Sequence, residues 1–201
     1  MPSAFRPLSC QPLAGKISFA ESGGKVRRKR GLKNVPCRRG VGVKQRVYLE
    51  TTIVSYLTAR PSRDLILAAH QEVTRQWWEH RRQNFDIYVS QLVADEAGRG
   101  DSEAAQQRVE MLRGVARLRV TDQAVALARE LVQSHALPEQ GVEDALHIAL
   151  ATVHGMDLLM TWNCRHIANA ERMPAIRMTL ERCGYDPPTI CTPDELMGES
   201  S

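Results

Sequence analysis

Val142-Glu143-Asp144-Ala145-Leu146-His147-Ile148-Ala149-Leu150-Ala151-Thr152-Val153-His154 reads as one helix, stopped by Gly155, and Leu158-Leu159-Met160-Thr161-Trp162 reads as the strand behind it. The same alternation recurs upstream. Arg46-Val47-Tyr48-Leu49-Glu50 has the form of a short buried strand ending in an acid, after which Thr51-Thr52 can cap a helix from Ile53 to Thr58 that Pro61 ends. A second helix is expected from about Arg63 to Arg82, with Leu65, Ile66, Ala69, Val73 and Trp77 at helical spacing. Asp86-Ile87-Tyr88-Val89 is the next strand, Ser90 caps a helix through Glu96, and Gly98 stops it. A helix from Asp101 to near Gly114, a strand at Leu118–Val120 and a helix capped by Thr121 and running to about His135 come next. Beyond Trp162, short helices are expected near Cys164–Ala170 and Ala175–Cys183, with an edge strand at Thr189–Cys191. Strands alternating with helices imply βαβ units, an α/β fold and a mostly parallel sheet of four to five strands. In open parallel sheets, ligands bind outside the carboxyl ends of the strands.

Composition sets the outer bounds. The chain has 201 residues, of which 43% are hydrophobic and 25% charged, values ordinary for a globular domain. No stretch approaches the roughly 20 apolar residues of a membrane-spanning helix. Five cysteines without a CxxC pair are neither a disulfide framework nor a zinc finger, and reduced thiols in a cytoplasmic protein are the simplest reading.

The net charge of +4 conceals a division. Residues 1–44 carry eleven basic residues against one acid, Glu21, whereas residues 45–201 carry sixteen basic and twenty-two acidic residues and no lysine. The first segment is rich in Ser, Gly, Pro, Lys and Arg and lacks periodicity, so it is expected to be a disordered basic extension, dispensable for folding. Lys25-Val26-Arg27-Arg28-Lys29-Arg30 suits a nucleic-acid-binding arm. A transit peptide is the second reading, against which no amphipathic helix is evident. A gene start called too far upstream is the third and is preferred, with Val41, Val43 and Val47 as alternative starts. A secretory signal is excluded by the lack of an apolar run.

Several acids fall where the fold rule points. Glu50 ends the first strand, Asn163 follows the fourth, Glu96 lies late in the helix capped by Ser90, and Asp144 sits in the first turn of the 142–154 helix. Carboxylates that converge repel one another and need a cation. Mg²⁺ takes one or two protein carboxylates and leaves its other positions to water and phosphate.

Val47-Tyr48-Leu49-Glu50-Thr51-Thr52, then Ser90-Gln91-Leu92-Val93 leading to Glu96, then Asp144-Ala145-Leu146-His147-Ile148-Ala149, then Leu159-Met160-Thr161-Trp162-Asn163 resemble the ordered motifs of a PIN domain. The pattern is similar to that of VapC-type toxins of bacterial toxin–antitoxin pairs, from residue 46 to about 196, including the closing Thr192-Pro193-Asp194-Glu195-Leu196. The resemblance implies a three-layer α/β/α fold, Mg²⁺- or Mn²⁺-dependent ribonuclease activity, a homodimer and inhibition by a small antitoxin. It implies Glu50, Glu96 and Asp144 as metal ligands and catalytic residues, with Asn163 assisting. Two positions depart from the family pattern. Glu50 stands where Asp is usual, and Asn163 replaces a fourth acid, which removes one negative charge. A PIN-like module that binds RNA or a protein without cutting is therefore the alternative.

Each residue also has a plainer reading. Asp144 suits a helix N-terminus, Glu96 a solvated helix face beside Asp95, Thr51 a cap, and Asn163 a turn. Thr51, Arg99 and Arg165 are the candidate substrate contacts, the two arginines through phosphates. Ser90 reads as a cap, His147 and His166 as structural or solvated, and Trp77 and Trp78 as core or interface. Glu143 should face away from Asp144, since successive helical residues point roughly 100° apart. The helices containing Ile53, Val54, Leu57 and Leu65, Ile66, Ala69 are expected to supply a dimer interface.

Overall fold

The computed structural model describes residues 43–198; the expectations for residues 1–42 fall outside them. Five strands, β1 (Gln45–Leu49), β2 (Phe85–Ser90), β3 (Ala116–Leu118), β4 (Leu158–Met160) and β5 (Thr189–Cys191), form one sheet in the order β3-β2-β1-β4-β5, with every pair parallel. The helices are α1 (Thr51–Thr58), α2 (Leu65–His80), α3 (Gln91–Ala97), α4 (Ser102–Met111), α5 (Asp122–Gln133), α6 (Val142–Val153) and α7 (Met173–Arg182).

Strand order explains the layers. The chain steps outward from β1 through β2 to β3, then returns across β1 to β4 and β5. Right-handed crossovers in opposite directions put their helices on opposite faces. Accordingly α1 to α4 pack with one another, and α5 packs on α6 and α7, giving three layers. The winding reverses between β1 and β4, the crevice where open α/β sheets bind ligands. Both strands are buried throughout their central residues, and α6 packs Ala145, Ile148, Ala149 and Leu150 into the same core.

Most expected elements are present, and the departures have local causes. The strand expected at Leu118–Val120 lies instead at Ala116–Leu118, because β2 offers partners only as far as Ser90, where α3 begins. The strand expected at Leu158–Trp162 ends at Met160. The Thr161 N–H still donates to the Cys191 carbonyl while its hydroxyl donates to Glu50, and the Trp162 N–H turns to the Thr52 hydroxyl. No helix forms at 164–170, where the carbonyl of Asn163 accepts from both Ile167 and Ala168 in a single turn. The cap of α1 is Glu50 rather than Thr51 or Thr52, its carboxylate accepting from the Thr52 N–H at 3.1 Å.

The buried face of α2 also differs from the expected stripe. Leu65 and Ile66 are 86% and 70% exposed, while Gln71, Thr74 and Trp77 are buried. The polar pair is satisfied inside. Gln71 bonds the Arg60 carbonyl and the Ser62 N–H, closing the α1–α2 connection, and Thr74 accepts the Trp162 indole N–H at 2.7 Å. Ile53 and Val54 are spent in the core, so the exposed apolar residues of this region belong to α2.

Trp77 is fully buried, and its indole nitrogen has no hydrogen-bond partner among the described residues. Trp77→Ala should cost about 3–5 kcal/mol. Trp77→Phe should cost clearly less, because it removes a buried donor whose lack of a partner is worth about 1–3 kcal/mol. Urea unfolding of both variants checks this; equal losses would contradict it.

Candidate functional site

Parallel pairing of β1 with β4 brings the residues just past their carboxyl ends together. The Glu50 N–H donates to the Met160 carbonyl at 3.0 Å, and the Glu50 side chain turns into the crevice with 5% of its surface exposed. One of its oxygens, Oε2, accepts the Thr52 N–H at 3.1 Å and the hydroxyls of Thr52 and Thr161 at 2.5 and 2.8 Å. None of these bonds uses Oε1.

Glu96 arrives from α3, whose start is fixed by Ser90 accepting the Val93 N–H. Its Oε2 accepts the Thr51 hydroxyl and lies 3.1 Å from His147 Nε2. Again none of these bonds uses the second oxygen. His147 comes from α6, fully buried, with Nδ1 2.8 Å from the Tyr48 hydroxyl, which is 2.8 Å from Ser90 Oγ. Ligand atoms of Glu50, Glu96 and His147 all lie within 4.8 Å of one another.

The electrostatics of Glu96 follow from this packing. Burial raises its carboxyl, but the His147 hydrogen bond and charge, the Thr51 hydroxyl and the Arg99 guanidinium outweigh burial. The group sits below the ordinary Glu range.

Asp144 lies outside that group. Its Oδ1 accepts the Asn163 amide at 2.8 Å, and its Oδ2 is 2.7 Å from His166 Nδ1. The connection to Glu50 is indirect: the Asn163 N–H donates to the Thr161 hydroxyl, which donates to Glu50. The sequence-expected residues thus divide. Glu50, Glu96 and Thr51 form one cluster, and Asp144 and Asn163 form a second beside it, joined through Thr161. Arg99 pairs with Glu143 on the surface at 2.9 Å, the neighbouring acid that faces away from Asp144. Arg165 is exposed and lines, with His166, Arg172 and His135, a cavity of about 740 Å³ next to the Asp144 cluster.

Sequence reasoning missed His147 as part of the cluster. The available signal was its position three residues after Asp144, on nearly the same helix face. It also missed the aromatic wall. Trp77 is core and Trp78 lies under the Arg82 guanidinium, whereas the rings beside the cluster are Trp162, stacked on His70 at 4.0 Å, and Tyr56 flanking both.

The donor set fits a divalent cation. A buried and a half-buried carboxylate converge, each anchored through one oxygen, and a buried imidazole completes the group. Among the described residues no helix is long and apolar enough to cross a membrane.

The family model described as PIN domain matches residues 47–171. Among solved structures, the chain is similar to VapC20 of Mycobacterium tuberculosis, described as a sarcin–ricin-loop-cleaving toxin, with a TM-score of 0.46 and 18% identity over 56% of this chain and 86% of that one. It is also similar to VapBC2 from Rickettsia felis, bound to a DNA fragment from their promoter, with a TM-score of 0.48 and 16% identity over 73% of this chain and 97% of that one. Both are distant likenesses. No curated protein sequence matches the chain.

A carboxyl held below its unfolded value contributes stability that is full above the ordinary Glu range, about 4.3, and lost as pH falls through the lowered value. In chelated buffer, the melting temperature of the wild type should therefore drop more than that of Glu96→Gln between about pH 6 and pH 3. Parallel pH profiles would contradict the assignment.

Proposed function

The chain belongs to the PIN domain family, and from that premise we propose that it is a metal-dependent endoribonuclease that hydrolyses RNA phosphodiester bonds, acting as the toxin of a toxin–antitoxin pair. The observation that carries the reading is the convergence of Glu50 and Glu96 at the β1 and β4 edge, each with one oxygen not used by the bonds that anchor it. These two residues hold the cation, Mg²⁺ or Mn²⁺. When bound, it supplies an activated water and neutralises charge developing on the scissile phosphate. Thr51, Thr52 and Thr161 fix the carboxylates through their hydroxyls, so their geometry is set before substrate arrives.

Asp144 and Asn163 form the neighbouring edge of the site and face the same crevice from α6 and from just beyond β4. Asp144 orients His166 and Asn163 by hydrogen bonds to both. Arg165 stands on the adjoining cavity wall, where a guanidinium meets a phosphate of the RNA strand. Arg99 contributes field rather than contact, since Glu143 occupies it. The exposed Leu65 and Ile66 on α2 serve a homodimer interface. A small antitoxin binding near the same crevice keeps the protein inactive in the cytoplasm, and the basic segment before residue 45 is an extension outside the catalytic domain.

The second reading, a module that binds RNA or a protein partner without cutting, is favoured by one observation. Asn163 is neutral, which leaves three carboxylates rather than four, and both oxygens of one of them, Asp144, are engaged by Asn163 and His166.

Purified wild type should cut RNA in Mg²⁺ or Mn²⁺ and stop on addition of EDTA. Loss of a group that merely supports a metal ligand costs about 10–100-fold, so Glu50→Gln should reduce cleavage by at least that much. Asp144→Asn should also abolish cleavage with an unchanged melting curve. Cleavage that survives EDTA and both substitutions would overturn the metal-nuclease reading. Metal binding without cleavage by the wild type would favour the second.

A further inference from the structure

We propose that His147 is a direct nitrogen ligand in the Glu50–Glu96 cluster, and that the site therefore selects Mn²⁺ ahead of Mg²⁺. This rests on the reading that the cluster holds a cation, and goes beyond it by naming a third ligand and the ion preferred.

Three observations support the inference. The first is position. His147 Nε2 is 3.1 Å from Glu96 Oε2, and its ligand atom falls in the same 4.8 Å group as those of both carboxylates. The contact through Oε2 sets the ring beside the carboxylate whose other oxygen the anchoring bonds do not use.

The second is how the ring is held. Ligating histidines almost always use their other nitrogen in a fixed hydrogen bond, which sets the tautomer. His147 Nδ1 has such a partner in the Tyr48 hydroxyl, itself bonded to Ser90 Oγ, and all three side chains are buried. Burial pushes the Tyr48 hydroxyl well above its usual range, so it stays neutral and acts as either donor or acceptor. The tyrosine hydroxyl can therefore partner Nδ1 in either tautomer of the ring. A cation at Nε2 would need the ring proton on Nδ1, where the tyrosine oxygen would accept it while the tyrosine hydroxyl donates to Ser90 Oγ.

The third is ligand chemistry. Mg²⁺ is a hard ion that prefers oxygen ligands, whereas imidazole suits transition metals and carboxylate suits Mn²⁺ as well as Mg²⁺. Of the two ions, Mn²⁺ shares the carboxylate preference and, as a transition metal, takes an imidazole more readily than Mg²⁺ does.

Pulsed electron paramagnetic resonance of the full chain loaded with Mn²⁺ reads a nitrogen ligand directly, alongside calorimetric binding of Mn²⁺ and Mg²⁺. The wild type should show nitrogen coupling that changes on ¹⁵N-histidine labelling, persists in His166→Gln and disappears in His147→Gln. Mn²⁺ affinity should fall at least tenfold in His147→Gln, and Mg²⁺ affinity should fall less. The wild-type spectrum decides the matter even where the buried substitution does not fold. Bound Mn²⁺ without nitrogen coupling, or coupling lost in His166→Gln, would overturn the inference while leaving the cation site standing. A wild type that binds neither ion would overturn both.

Discussion

The structure is organised around two negative charges that the fold holds together. Ligand atoms of Glu50 and Glu96 lie within 4.8 Å of each other in a crevice that leaves both largely buried. Two like charges at such a distance repel by about 3–4 kcal/mol at an effective dielectric near 20. The protein offsets this with donors: the Thr52 N–H, three threonine hydroxyls and the His147 ring all face the two carboxylates. Hydrogen bonds to ionised groups are the stronger kind, and here they also fix which oxygen of each carboxylate is exposed to a ligand.

Much of the local structure serves that arrangement. Capping by Glu50 starts α1 and leaves the Thr51 hydroxyl for Glu96. Ser90 caps α3, which carries Glu96, and also anchors Tyr48, which orients His147. Just past β4, Thr161 keeps its N–H on Cys191 and gives its hydroxyl to Glu50 and Asn163, so the strand end itself joins the two clusters. The winding reversal between β1 and β4 supplies the crevice, and Glu50, Glu96 and His147 come together from three segments distant in sequence.

The parallel sheet, its helices and the strand-end position of Glu50 were legible in the sequence, because an acid directly after Val47-Tyr48-Leu49 has to be paired or solvated. Glu96 was legible only through the order of motifs. His147 was not, because a lone histidine on an apolar helix face has the same pattern whether it packs or ligates. The buried polar side of α2 was not legible for a related reason. Periodicity marks Leu65 and Ile66 as apolar, but it does not reveal that Gln71 and Thr74 find partners inside and are buried beside Trp77. Strand lengths at β3 and β4 were also misjudged, since they depend on how far a neighbour extends and on which backbone groups the site claims. Asp144 is present where the pattern placed it, yet its carboxylate is engaged by Asn163 and His166, a contact that only the fold creates.

The central claim is that Glu50 and Glu96 are kept close in order to share a cation. A ligand that binds the folded state raises its stability in a concentration-dependent way. Thermal unfolding of the chelated full-length chain across a Mn²⁺ titration therefore tests the claim most directly, with Glu50→Gln/Glu96→Gln as the comparison. The account predicts a melting temperature that climbs with Mn²⁺ in the wild type and stays flat in the double variant. A flat wild-type curve, or an equal climb in both proteins, would contradict it.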